Sequence, residues 1–229
     1  MSVIGGPDII TDGLVLHLDA ASAKSYPGSG TTWYDRSRYK NHGTLTNGAS
    51  FNGANKGSIS FDGSDDYVGG GDTSAVNGHN SICVWFKATG APSNNDSSGA
   101  ILFTQSSNFN HGILIGNSYL SERIIYGIVI NQPIVTPNNS VSNGDVHFVV
   151  GLWNGSQQQI WVDGELLASR SYTNSPVLVD PAYKVGKWGY GGFTRNLNGN
   201  IYSVQLYNRA LTADEVSKNF NVTKGRYGL

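Results

Sequence analysis

The side chains best suited to contact a ligand gather in a glycine-rich stretch between residues 186 and 196. They are Trp188, Tyr190, Phe193, Arg195 and Asn196. Flat aromatic faces beside amide groups suit stacking on sugar rings, and Tyr, Trp and Arg are equally enriched in protein interfaces. Packing of the loop against its own domain is the third interpretation. The five residues are therefore candidates for ligand binding, with the kind of ligand left open.

Paired carboxylates would be needed for glycoside hydrolysis, and the sequence offers no good pair. The three glutamates are Glu122, Glu165 and Glu215, and they are far apart in the chain. Retaining hydrolysis needs two carboxyl groups about 5 Å apart. Asp65 and Asp66 are adjacent, so on a strand they would point to opposite faces. We expect no catalytic residues and no enzyme activity, with a glycoside hydrolase kept as the weakest alternative.

Other reactive groups are scattered. The five histidines show no metal-binding or catalytic spacing, and no nucleophile elbow or phosphate-binding loop is present. The single cysteine, Cys83, lies in an apolar run, which predicts a buried structural thiol. No cofactor is expected from these residues.

The stretch from Val146 to Ala168 predicts an antiparallel meander. Three β-prone runs are separated by Asn154-Gly155 and Asp163-Gly164. Asx-Gly pairs tolerate the positive φ angles that two-residue hairpin turns require, so each pair predicts such a turn.

Similar short alternating runs occupy most of the chain. We expect strands at 13–19, 57–61, 67–68, 81–87, 100–104, 112–115, 124–130, 183–186 and 200–207. Runs of this length punctuated by Gly, Asn and Asp are typical of an all-β sandwich of two antiparallel sheets.

One short C-terminal helix is predicted. Thr212 and Glu215 fit a capping box, and Leu211 and Val216 occupy the positions of a hydrophobic staple. We expect about two turns, lying across an end or edge of the sandwich.

Composition excludes several classes of protein. The 229 residues carry a net charge of −1 and only 14% are charged, which disfavours nucleic-acid binding. No run is long and apolar enough to span a membrane, and residues 1–7 lack the features of a secretory signal. We predict an N-terminal arm at 1–12, one domain at 13–222 and a tail at 223–229.

Four segments carry a family resemblance. They are Gly13–Asp19 with Asp35–Leu45, then Ser58–Val68, Trp161–Leu167 and Leu197–Val216. Together they resemble the laminin-G-like, pentraxin-like branch of the concanavalin-A-like lectin/glucanase superfamily. The resemblance implies a concanavalin-A-like jelly-roll. Two positions depart from the usual pattern: Ser37-Arg38 replaces Ser-Gly, and Tyr202-Ser203 replaces an acidic pair.

A narrower resemblance concerns the loop 27–35 and the ending 219–228. Both are similar to laminin-G-like virion proteins of tailed phages, notably phages of cyanobacteria and marine hosts. This likeness implies a virion localisation, synthesis in the host cytoplasm and release by lysis.

The family resemblance also implies that the protein could bind a structural calcium ion, because relatives often hold Ca²⁺ with loop carboxylates and carbonyls. The candidate ligands are Asp35 and Asp62. Both lie in turns, where Asp is common for local hydrogen bonding, and this second interpretation stays open. The pentraxin double site is not expected, because Lys187–Tyr190 stands where its acidic cluster would be.

We therefore expect a non-enzymatic virion structural protein, a capsid decoration or a tail, neck or fibre appendage. Its partners would be other virion proteins, contacted as a symmetric oligomer. The alternative is a carbohydrate-binding adhesin that recognises a host surface polysaccharide.

Overall fold

Short alternating segments do form strands, because each buries one face and leaves the other to a neighbouring layer or to solvent. The structure, a computed structural model, describes residues 8–54, 57–76, 80–89, 98–104, 112–116, 122–127, 133–173, 182–190 and 193–229, with the backbone alone at 98–104, 189–190 and 193–194. No helix in this part of the chain is long and apolar enough to cross a membrane.

The strands run in chain order as β1 (Leu14–Asp19), β2 (Thr32–Trp33), β3 (Gly43–Thr46), β4 (Ser50–Asn52), β5 (Ser58–Asp62), β6 (Tyr67–Asp72), β7 (Asn80–Ala88), β8 (Ser98–Thr104), β9 (Gly112–Gly116), β10 (Arg123–Gly127), β11 (Ile134–Val135), β12 (His147–Trp153), β13 (Gln157–Val162), β14 (Glu165–Ser171), β15 (Ala182–Val185), β16 (Lys187–Tyr190), β17 (Phe193–Asn196) and β18 (Asn198–Tyr207). One helix, α1 (Ala213–Lys224), follows them.

The strands assemble into two eight-stranded sheets and one small hairpin. The first sheet has the order β14-β13-β12-β7-β18-β5-β4, with β1 also paired to β18. The second has the order β11-β10-β9-β8-β15-β6-β3-β2, and β16 pairs with β17. Neighbouring strands within these sheets are antiparallel, as in β7 with β12 and β7 with β18. The all-β, concanavalin-A-like jelly-roll sandwich with a C-terminal helix is confirmed.

Two apolar layers hold the sandwich together. The main core lies between the sheets and contains fully buried residues such as Trp33, Phe86 and Tyr183. A second cluster lies on the other face of the first sheet, where Trp85 and Phe148 pack against Phe220 of α1. The hydrophobic effect therefore drives both the stacking of the sheets and the docking of the helix.

The predicted meander is confirmed as β12, β13 and β14, but its two turns differ. Asp163 and Gly164 have φ of 50° and 89°, as a two-residue turn of the predicted type requires. At the other turn only Gly155 has a positive φ, and the Asn154 side chain accepts hydrogen bonds from the amides of Ser156 and Gln157. The two-residue turn is present but shifted by one position, because the Asn154 amide donates to the Gln157 carbonyl and leaves Gly155 and Ser156 as the loop.

The helix is longer than predicted and lies elsewhere. It has 12 residues, and it covers the outer face of the first sheet rather than an end or edge. The capping box is confirmed, with reciprocal hydrogen bonds between Thr212 and Glu215. The added turn is explained by tertiary contact, since Thr223 accepts a hydrogen bond from the Trp85 indole at 2.9 Å.

Segments beyond the main strands are also bound to the sandwich. Ile10 donates its amide to Asn219 of α1 at 2.8 Å, and its carbonyl accepts from the Tyr207 hydroxyl. At the other end, Arg226 donates to both carboxylate oxygens of Asp19 at 3.0 Å, and Tyr227 packs against Trp85.

Candidate functional site

The predicted ligand-binding loop forms the hairpin of β16 and β17, in which Trp188 pairs with Arg195. Trp188 is only 5% exposed and packs with Leu114 and the half-buried Ile125. The Arg195 guanidinium lies 4.6 Å from the centre of the indole ring. Because the ring is covered in this way, Trp188 offers little flat surface to a sugar.

Asn196 is also buried, at 2% exposure. Its Nδ2 donates to the Ser64 carbonyl, while its Oδ1 is buried without a hydrogen-bond partner. Trp188 and Asn196 thus pack within the hairpin, and their role in ligand binding stays a prediction. The structure describes no side chain for Tyr190 or Phe193, so their role in binding stays a prediction.

Asp35 organises the loop between β2 and β3. Its Oδ1 accepts the amides of His17 and Ser37, and its Oδ2 accepts the Ser37 hydroxyl and the Asn41 amide, all at 2.7–2.8 Å. The carboxylate is buried at 2% exposure and its oxygens are occupied by these donors. Asp35 is therefore a loop anchor, and its prediction as a calcium ligand is not supported by this geometry.

Asp62 lies in a carboxylate cluster that the sequence did not predict as a unit. Its oxygens and those of Asp65 and Asp66 lie within 4.8 Å of one another in the turn between β5 and β6. The expectation that Asp65 and Asp66 point to opposite faces of a strand is wrong, because they lie in this turn. Burial, and secondarily the charges of Asp62 and Asp65, raise the pKa of Asp66, whose carboxylate also accepts the Asp62 amide.

Oxygen donors of this kind fit a hard cation such as Ca²⁺. The orphaned Oδ1 of Asn196 belongs to an amide that is held against Ser64 in the same turn. Opposing this, the Lys187 ammonium lies 3.4 Å from the Asp65 carbonyl and brings a positive charge close. A calcium ion held by Asp62 stays a prediction, and Asp65 and Asp66 bring two further carboxylates to the same turn.

His147 is engaged rather than available as a ligand. Its Nδ1 lies 2.7 Å from Asp163 Oδ2, and its Nε2 accepts the Ser142 amide at 2.9 Å. Since Nε2 is an acceptor, the proton lies on Nδ1 and points to the carboxylate. Asp163 also accepts the Phe148 amide, so this pair fastens the turn between β13 and β14 to β12. His17 is half-buried, and the partial removal of its ring from water lowers its pKa to about 4 and keeps it uncharged at neutral pH.

An open aromatic depression lies where the loop after β1 meets β4. The rings of Tyr26 and Phe51 stack with centroids 5.0 Å apart and planes 23° apart. They line a depression of about 360 Å³ whose other lining residues are small or cyclic and uncharged: Ala20, Ala21, Ala23, Pro27, Gly28, Gly53 and Gly57. Phe51 is half-buried, and Tyr26 is fixed by donating its hydroxyl to the Gly30 carbonyl at 2.6 Å.

Sequence reasoning missed this depression. Tyr26 and Phe51 are 25 positions apart and lie in a loop and a three-residue strand. The one local signal is the Tyr-Pro-Gly triplet at 26–28, which predicts a turn and carries no information about its distant partner.

Comparison with known proteins identifies the family. The family described as the concanavalin A-like lectin/glucanases superfamily matches residues 62–217. The chain therefore belongs to this superfamily. A search of curated proteins found no sequence that matches it.

Several solved structures are similar in fold. The binding domain of botulinum neurotoxin serotype D matches with a TM-score of 0.69 and 15% identity, over 93% of this chain and 53% of the toxin chain. A structure of botulinum neurotoxin type C, whose cell entry depends on interaction with two ganglioside molecules, matches with a TM-score of 0.70 and 15% identity, over 93% of this chain and 51% of the toxin chain. Our chain thus spans about half of these toxin chains.

A third similar structure has nearly the length of this chain. It is domain 4 of AbnA, an extracellular arabinanase from Geobacillus stearothermophilus, in complex with arabinotriose. The TM-score is 0.65 and the identity 13%, over 92% of this chain and 99% of that domain. At these identities the comparisons establish the fold alone.

Proposed function

We propose that this protein is a non-catalytic carbohydrate-binding domain. The observation that carries the proposal is the depression around Tyr26 and Phe51. Its open aromatic surface is the ring of half-buried Phe51, which stacks on Tyr26, itself only 4% exposed. Its other lining residues carry no charge, and its alanines and glycines leave the approach open. Such a surface suits the apolar face of a sugar ring, with main-chain groups of the glycines for the hydroxyls.

The similar structures support the same class of ligand. The AbnA domain was solved in complex with arabinotriose, and cell entry of the type C neurotoxin depends on its interaction with two ganglioside molecules. These ligands belong to those proteins. They support carbohydrate as the ligand class and leave the particular sugar to experiment.

Side-chain engagement argues against hydrolysis. Glu215 is committed to Arg209 and to the helix cap, which lowers its pKa to about 2. Asp62 and Asp65 are exposed in the same short turn as Asp66, so these three do not face one another across a cleft. We expect no release of reducing sugar from polysaccharides at any pH between 4 and 9.

Glycan-array binding tests the proposal. Phe51→Leu keeps apolar volume but removes the flat ring, and we expect about tenfold weaker binding of the glycan that the wild type selects. Tyr34→Leu is the matched control, because Tyr34 is an exposed aromatic residue elsewhere, at 42% exposure. Both variants should unfold at temperatures close to that of the wild type. An array on which the folded wild type binds no glycan contradicts the proposal.

A phage particle is the setting we propose for this domain. The supporting observation is the likeness of residues 27–35 and 219–228 to laminin-G-like virion proteins. Both segments are packed onto the sandwich, through Trp33 and through Arg226. A virion structural role, as capsid decoration or as tail, neck or fibre appendage, predicts that the protein sediments with intact particles at a copy number set by particle symmetry. Its absence from purified particles would contradict that role.

A further inference from the structure

A second surface on the opposite edge of the first sheet carries a row of ordered amides. Strand β13 alternates between half-buried Gln157, Gln159 and Trp161 and buried residues that enter the core. The half-buried positions face outward, on the same side as the helix-covered cluster, against which Trp161 packs at its margin. We call the outward row of β13 and its partners on β14 the β13–β14 strip.

The register of the two strands defines the strip. Gln157 pairs with Ser171, Gln159 pairs with Ser169, and Trp161 pairs with Leu166 beyond a bulge. Paired residues share one face of a sheet, so two rows of side chains lie side by side. The six residues are Gln157, Gln159, Trp161, Leu166, Ser169 and Ser171, and none of them is charged.

Hydrogen bonds along β13 hold the amides in fixed orientations. The Trp161 indole N–H donates to Gln159 Oε1 at 3.1 Å, and Gln159 Nε2 donates to Gln157 Oε1 at 3.2 Å. Each amide keeps at least one N–H and one lone pair for a ligand. Because the side chains are already ordered, a ligand that uses these groups would lose less conformational entropy than one binding to mobile glutamines.

We propose that the β13–β14 strip binds an extended, uncharged glycan chain. Alternate residues of a strand are about 7 Å apart, so the row from Gln157 to Trp161 spans about 14 Å. This length suits a short oligosaccharide rather than one sugar ring. The half-buried indole and the exposed Leu166 give apolar contact at one end, and amides and hydroxyls give hydrogen bonds along the rest.

The absence of charged residues in the strip predicts that it binds neutral rather than acidic glycans. Carboxylate or sulfate groups of acidic polysaccharides are bound by Arg and Lys through charge-assisted hydrogen bonds, and the strip has no cation. Binding should therefore be insensitive to salt between about 50 and 500 mM. Over this range the Debye length falls from about 14 Å to about 4 Å, which would weaken any binding that depends on charge.

The inference deepens the proposed function and assigns it a second site, separate from the depression. The strip lies at the β14 edge of the first sheet and Phe51 lies on β4 at the other edge. Substitutions at one site can therefore be read independently of the other, as expected for distant positions.

Affinity electrophoresis tests the strip. The probes are mixed-linkage β-glucan, xyloglucan and galactomannan as neutral chains, with polygalacturonate as the acidic chain. We expect retardation by at least one neutral chain and none by polygalacturonate. The double variant Gln157→Ala/Gln159→Ala should weaken the affinity at least about fivefold, since it removes the amides altogether.

Two further variants separate binding from structure. Trp161→Phe keeps a ring but removes the N–H that orients Gln159, and we expect a loss of about twofold to threefold. Thr44→Ala is the control, an exposed strand residue of the other sheet. All variants should keep the wild-type unfolding temperature within a few degrees.

The outcomes distinguish the two proposals. If Gln157→Ala/Gln159→Ala is retarded like the wild type while Phe51→Leu loses its retardation, the proposal that the strip binds glycan is wrong. The proposed function is then still supported. Retardation by polygalacturonate that falls with salt also overturns the strip. A wild type that binds no glycan in any format overturns both.

Discussion

Individual buried polar residues decide the shape of the loops that surround the sheets. Asp35 accepts four hydrogen bonds from three other residues, and two of these residues belong to its own loop. The Tyr183 hydroxyl then donates to the Asn41 carbonyl of the same loop at 2.9 Å. The long polar loop is thus fixed to both sheets by side chains, which compensates for its shortage of strand hydrogen bonds.

Close packing at Gly70 gives a first prediction. A Cβ atom at this position would overlap the Tyr183 ring, whereas one at Gly71 would have only ordinary contact with Asn41 at 3.5 Å. We expect Gly70→Ala to lower the free energy of unfolding by about 1–3 kcal/mol. Gly71→Ala is the matched control and should be close to neutral. Urea unfolding with an unchanged m value measures both, and equal stability of the two variants would contradict the packing argument.

The carboxylates between β5 and β6 give a prediction about calcium. If Asp62, Asp65 and Asp66 bind Ca²⁺, millimolar calcium should raise the unfolding temperature and magnesium should do so much less, because the smaller ion demands stricter geometry. Asp65→Asn should abolish the rise. Asp72→Asn serves as control, since Asp72 is an exposed carboxylate that binds the Ser74 amide at the end of β6. If calcium leaves the unfolding temperature of the wild type unchanged, the prediction of a bound calcium ion is wrong.

At the scale of elements, both the local sequence and tertiary packing determine the helix α1. The local sequence determines where it starts, through the capping box of Thr212 and Glu215. Its length and position come from the surface it covers, where Trp85, Phe148 and Phe220 form one aromatic cluster. A 12-residue helix is marginal by itself in water, so this tertiary contact determines that it persists.

The helix cap predicts a dependence of stability on pH. Hydrogen bonds from Arg209, and then from Thr212, hold the pKa of Glu215 at about 2, below its unfolded value of about 4.3. A lowered pKa in the folded state means that the stabilisation is complete above about pH 4.3 and is lost as the pH falls towards 2.

Glu215→Gln should therefore destabilise the protein by about 1 kcal/mol at pH 7, after allowance for solvent screening of this partly exposed pair. At pH 2 the difference from the wild type should largely vanish. Asp214→Asn, one position earlier in the same helical turn, is the control. Parallel stability curves for Glu215→Gln and the wild type from pH 7 to pH 2 would contradict the assignment.

At the scale of the whole molecule, the two proposed contact surfaces lie at opposite edges of one sheet. The depression uses β4 and the loop after β1, while the strip uses β13 and β14. If both bind sugars of one polysaccharide, the second contact becomes intramolecular and the overall affinity rises through effective concentration. Repetition of the domain on a symmetric particle would act in the same direction.

The sequence by itself determined the layered β architecture, the meander from β12 to β14 and the start of α1. These features depend on local physics: period-two alternation, turn chemistry at Asp163-Gly164 and reciprocal capping by Thr212 and Glu215. The turn predicted at Asn154-Gly155 lies one position later, because the Asn154 side chain accepts the Ser156 and Gln157 amides instead of Asn154 adopting a positive φ.

Only the tertiary structure decided which residues meet. The sequence left open whether Trp188 binds a ligand or packs on its own domain, and the structure places Arg195 over its ring and Leu114 against it, more than seventy positions away. Tyr26 meets Phe51 because the sheet brings the loop after β1 next to β4. Alternation specifies which face of a strand is buried, but it carries no information on which distant side chain covers that face.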